Sequence, residues 1–186
     1  MSLKDTFDKQ LIIYRNTTDI NNFLKFFRKL NKESPDKTMQ LYHIYYNILK
    51  NQFNLIPDIY IFNQLIQSIL YSEPPKYKFI KYFLNEMTYY NLTISSNIVH
   101  NILRLIKRYP HQNQLAADNW YNYWQKNLDK QVNKNKKWNV MSVYFEILVK
   151  SEQVEKAQKF KKELEEIGIW DNTFNEIYKL LPLYSV

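Results

Sequence analysis

Apolar residues recur at three- and four-residue spacing along nearly the whole chain, and strand-like alternation persists nowhere. That pattern predicts helices almost throughout. The apolar runs and the breaks between them place helices near 3–14, 19–31, 36–53, 59–72, 75–91, 96–109, 112–132, 138–150, 152–167 and 172–181. The punctuation is ordinary: Thr18-Asp19, Ser34-Pro35-Asp36, Pro57-Asp58, Glu73-Pro74-Pro75, Ser95-Ser96 and Pro110 each offer a capping side chain or a proline that cannot continue a helix. Asn133-Lys134-Asn135-Lys136-Lys137 reads as a polar loop. Within helix 112–132 the spacing puts Leu115, Trp120, Tyr123, Trp124 and Leu128 on one inward face, and Ala116, Ala117 and Ala157 fall where paired helices must approach closely.

The helices come in repeating pairs. Ile59 to Ser95 and Trp138 to Asn172 read as one helix-turn-helix unit written twice, the second copy 35 residues long. Each opens on an amphipathic helix, closes its second helix on Asn85-Glu86-Met87 or Lys162-Glu163-Leu164, and four residues later carries Asn91 or Gly168. Asparagine and glycine are the types that tolerate a left-handed helix end. Self-similarity at this period implies stacked units that cannot bury their apolar faces alone. The fold class expected is all-α, an α-solenoid of about five such repeats. One domain over 1–186 is expected, with units near 18–58, 59–95, 96–137 and 138–172 and capping helices at the ends.

Composition removes several functions. The single glycine, Gly168, leaves no Gly-rich phosphate loop, and the lack of cysteine excludes disulfides and thiolate chemistry. No apolar run approaches the roughly 18 residues that a membrane span needs. The formal charge of +8 is partly the lysine of an Asn-, Lys-, Ile- and Tyr-rich chain, and arginine appears only at 15, 28, 104 and 108. Its distribution is more informative: +3 over 1–58, +1 over 59–95, +6 over 96–137 and −2 over 138–186. That asymmetry favours an anionic partner along the central repeat.

The unit resembles that of the pentatricopeptide repeat proteins, whose two-helix repeats stack and bind single-stranded RNA. Pro57-Asp58-Ile59-Tyr60-Ile61-Phe62-Asn63-Gln64-Leu65-Ile66 is similar to that family's first helix, and Phe83-Leu84-Asn85-Glu86-Met87 to its second. Val154-Glu155-Lys156-Ala157, Phe160, Leu164 and Gly168-Ile169 repeat the second-helix pattern. A tetratricopeptide or generic solenoid remains an alternative. The resemblance implies base reading by a polar residue after the first-helix aromatic, together with the last residue before the next repeat. Carried over, the pairs are Asn63 with Ser95, like a pyrimidine reader, and Ser142 with Asn172, like a purine reader. His100 takes the equivalent place in the central repeat.

On the helix of His100, Ser96, His100, Arg104 and Lys107 or Arg108 form a polar, basic stripe, while Ile98, Val99, Ile102, Leu103, Leu105 and Ile106 fill the buried sides. The stripe is either a phosphate-facing surface or a solvated face. Glu146, one turn below Ser142, would repel a phosphate in the last repeat. His43, His100 and His111 have no partner at metal-ligand spacing, so neither metal, cofactor nor catalysis is expected. Two readings follow. In one, the chain is a non-catalytic component of an organellar ribonucleoprotein, such as the mitochondrial ribosome or an RNA-processing or translation factor, with single-stranded RNA or rRNA as partner. In the other it is a scaffold holding protein subunits. Mitochondrial localisation is implied by the resemblance alone. Met1 to Asn16 carries Asp5 and Asp8 and lacks the character of a transit peptide.

Overall fold

A computed structural model describes residues 58–69 and 77–182, together with Lys9, Lys25 and Lys29. Apart from those lysines and Asp58, the helices predicted at 3–14, 19–31 and 36–53, the repeat at 18–58 and His43 lie outside the described residues. The described residues hold seven α-helices, two short 3-10 turns and no strand, so the fold is all-α. The chain divides into two compact units, Met1–Thr93 and Ile94–Val186.

In the first unit, α1 (Ile59–Ile69) packs against α2 (Tyr77–Tyr89). Asp58 starts α1: its carboxylate accepts the Ile61 amide at 2.9 Å, satisfying a donor that the first turn leaves orphaned. Ile61, Phe62, Leu65, Ile66 and Ile69 form the buried stripe of α1, and Phe79, Ile80, Phe83 and Met87 that of α2. Phe62 meets Phe83 edge to face at 6.4 Å. Residue Asn91 ends the pair at φ 55, with Leu92 N–H donating to Met87 O and Asn91 N–H to Thr88 O. That is the closure expected of an αL cap.

The second unit holds α3 (Ser96–Ile106), α4 (Gln114–Asn127), α5 (Lys134–Lys150), α6 (Val154–Glu166) and α7 (Asn172–Tyr178). Trp124, near the end of α4, is fully buried and donates its indole N–H to Ser96 Oγ, at the start of α3, at 2.8 Å. The two helices therefore run in opposite directions. Lys107, just past α3, reaches Glu146 late in α5, and Trp138, early in α5, reaches Asp171 at the head of α7. Helices α3, α5 and α7 consequently run the same way and lie side by side, with α4 against α3 and α5 and α6 against α5.

Helix α5 is the centre of this unit. From Val140 to Val149 only Glu146 escapes burial, the signature of a helix enclosed by neighbours rather than lying at a surface. An aromatic cluster fixes it to α4 and α6. Tyr121 and Tyr144 stack with centroids 4.0 Å apart and planes 1° from parallel, and Phe160 abuts both edge on at 5.3 Å. The Tyr144 hydroxyl donates to Asp118 Oδ1 at 2.8 Å, and Lys156 holds the other oxygen at 2.6 Å. Tyr121 is buried too, yet its hydroxyl has no partner among the described residues. Burial pushes both phenols above their ordinary pKa, with nearby carboxylates adding to the shift.

Two expectations change, and one helix end is new. Lys134 to Lys137 are the first turn of α5, not a loop, because Asn133 caps it by accepting the Lys136 amide at 3.0 Å. Lysines there oppose the helix dipole, and Asp129 offsets one of them by pairing with Lys137 at 3.0 Å. Helix 112–132 is shorter, Gln114–Asn127, bracketed by 3-10 turns at Pro110–Gln112 and Asp129–Gln131. Its inward face is Ala117, Tyr121 and Trp124, while Leu115 and Tyr123 are exposed. Finally, Glu152 adopts φ 58 and closes α5 with the same bond pattern that Asn91 and Gly168 give α2 and α6.

Candidate nucleic-acid interface

The capping residues set a register. Asp58, Ser95, Asn133 and Asp171 each accept a backbone amide three residues on, at the heads of α1, α3, α5 and α7. They recur every 37 or 38 residues. Counting five residues from each cap gives Asn63, His100, Trp138 and Glu176 as equivalent positions. The readers inferred for the first two units keep this register. Ser142 does not, lying one helical turn further along, because α5 begins a turn earlier than its sequence predicts.

Local chemistry differs sharply among the reader positions. Asn63 is half-buried on α1, in the first unit. Ser95 belongs to the second, where its hydroxyl is engaged as the cap of α3, accepting the Ile98 amide at 3.4 Å. Ser142 is 7% exposed and its hydroxyl donates to Asn139 O at 3.2 Å. It is packed, not presented on an open face. Asn172 is exposed as the first residue of α7, one place beyond the cap, Asp171. Sequence reading missed Trp138, whose indole N–H donates to Asp171 Oδ2 at 2.7 Å and whose ring meets Phe174 edge on at 6.1 Å.

The structure gathers His100 and Arg104 on α3 with Lys107 in the turn that follows it, all half-buried, and Arg108 comes next in that turn, while Ile98, Val99, Ile102, Leu103, Leu105 and Ile106 fill the core as predicted. The charges on that flank are not equivalent. Burial, together with Arg104 and Lys107, lowers the His100 pKa from 6.5 to about 4, so the imidazole is neutral at physiological pH. Lys107 Nζ donates to Glu146 Oε2 at 2.9 Å, and Lys150 Nζ lies 2.8 Å from the other oxygen. Burial alone would raise the Glu146 pKa, but the hydrogen bonds from Lys150 and Lys107 outweigh it and hold the carboxyl below its ordinary 4.5. Arg104 makes no ion pair among the described residues.

Elsewhere in the second unit, a cleft of about 270 Å³ opens over the stacked tyrosines and Phe160, rimmed by Lys156, Lys159 and Glu163. No group of three His, Cys, Asp or Glu side chains among the described residues is arranged to hold a metal ion, and no helix there is long and apolar enough to cross a membrane. No protein-family model matches the chain, and no curated protein matches it either.

Proposed function

We propose that the chain is a non-catalytic helical-repeat protein of the pentatricopeptide kind, its helix pairs continuing as an α-solenoid that holds RNA inside an organellar, most simply mitochondrial, ribonucleoprotein. The observation that carries this reading is the capped unit itself. A side-chain cap recurs every 37 or 38 residues, and the helix pairs that begin at Asp58 and Asn133 both close through an αL residue, Asn91 and Gly168, as one repeated element would. RNA as the partner is supported by the flank of α3, where a neutral imidazole and an arginine without an ion pair stand beside two lysines held by one carboxylate. A neutral histidine can hydrogen-bond a base, and an arginine can take a phosphate. Anisotropy of a labelled single-stranded RNA, titrated with the full chain at rising salt, tests this. Affinity should fall linearly with salt on logarithmic axes.

A second reading, a scaffold for protein subunits, is favoured by one specific fact. Ser142 is buried and Glu146 occupies both neighbouring lysines, so the α5 part of this surface offers RNA little. On that reading the same titration gives no RNA binding, and the chain co-sediments with protein partners after nuclease treatment.

A further inference from the structure

We infer that Glu146 masks the basic flank: its carboxylate, clamped between Lys107 just past α3 and Lys150 at the end of α5, withholds two lysines from loosely bound phosphate until a closely fitting RNA displaces it. This rests on the RNA reading and specifies how the same surface discriminates among RNAs.

The geometry is specific. Each carboxylate oxygen serves one lysine, Oε2 to Lys107 at 2.9 Å and Oε1 to Lys150 at 2.8 Å. The Glu146 side chain is 22% exposed, against 30% for Lys107 and 43% for Lys150. All three side chains reach solvent, and the two ammonium groups are carried on flexible stems that can swing away from the carboxylate. Ion pairs this accessible are weak, so a phosphate can compete with the carboxylate for either lysine. Glu146 is also the one residue of Val140–Val149 that is not buried, so its carboxylate meets solvent and both lysines at the edge of an otherwise enclosed helix. A carboxylate kept there, opposite lysines from two helices, lowers indiscriminate phosphate affinity. It leaves Arg104, which makes no ion pair among the described residues, able to meet a phosphate in the free protein, and it reserves Lys107 and Lys150 for an RNA that fits closely enough to replace the anion.

The test measures the slope of log K against log salt for the full chain binding labelled poly(U). Each phosphate contacted on a single strand contributes about 0.7 to that slope. Glu146→Gln keeps the side-chain shape and removes the charge, and it should steepen the slope by about 0.7 to 1.4, one or two further phosphates. Glu155→Gln, an equal change of charge on exposed α6, should leave the slope unchanged. Lys107→Ala should alter the slope little in the native background, yet remove about half of the gain in the Glu146→Gln background. That coupling is one a merely destabilised helix would not produce. Equal slopes for the native chain and Glu146→Gln, with RNA bound by both, overturn the mask and leave the RNA reading intact. No binding by either protein overturns both.

Discussion

Two tyrosines stacked on one another have opposite hydrogen-bonding fates, and their substitutions should separate accordingly. Tyr144 loses its bond to Asp118 on truncation to phenylalanine, which should cost about 1 kcal/mol. Tyr121→Phe removes a buried hydroxyl with no partner, so it should be neutral or stabilise by up to about 1 kcal/mol. Urea unfolding of the two variants checks the pair of signs. His100 supplies a pH test. The folded imidazole titrates near 4, so between about 6.5 and 4 the unfolded chain binds a proton that the folded chain does not. Stability should fall as pH falls through that window, and His100→Asn should flatten the fall. Glu146 acts in the adjoining window: its stabilising contribution is present above its ordinary 4.5 and is lost as pH drops through its lowered folded value. At this scale the sequence was readable where side-chain type alone decides, as in the buried apolar residues of α3. It misled at Ser142, because spacing cannot reveal that neighbouring helices enclose α5.

Helix ends were legible in proportion to how strictly their chemistry limits the residue. Asn91 and Gly168 were recognisable as left-handed ends because few residue types adopt that conformation cheaply, and both do adopt it. Glu152 gave no such sign, since the bonds from Glu152 N–H to Val149 O and from Gln153 N–H to Leu148 O impose φ 58 on a residue that would not choose it. Opposite effects follow. A side chain at Gly168 would meet no atom within 4 Å, so Gly168→Ala isolates the backbone cost and should destabilise by about 1 kcal/mol. Glu152→Gly relieves that same cost and should stabilise by up to about 1 kcal/mol after the entropy gained by the unfolded chain is subtracted. Thermal melts of both distinguish them. The start of α5 was misread because a run of Asn and Lys looks like a loop, although lysine is a good helix former once Asn133 supplies the cap. Asn133→Ala should cost about 1 kcal/mol and speed hydrogen exchange at the Lys136 amide.

Across the whole molecule, the recurring cap was more informative than the apolar repeat. The apolar pattern finds helices but leaves their starting points uncertain by a turn, and one turn is enough to move an inferred base reader from Trp138 to Ser142. Caps fix the register because each makes a bond to a particular amide. On α3 and the turn after it, Arg104 makes no ion pair among the described residues, whereas Lys107 is held by Glu146. The central claim is that this flank contacts RNA phosphates. It is tested most directly by the salt dependence of single-stranded RNA binding for the full chain and for Arg104→Ala. The account predicts salt-sensitive binding whose logarithmic slope becomes shallower by about 0.7, one phosphate, in the variant. An identical slope for both proteins, or no salt-sensitive binding at all, would contradict it.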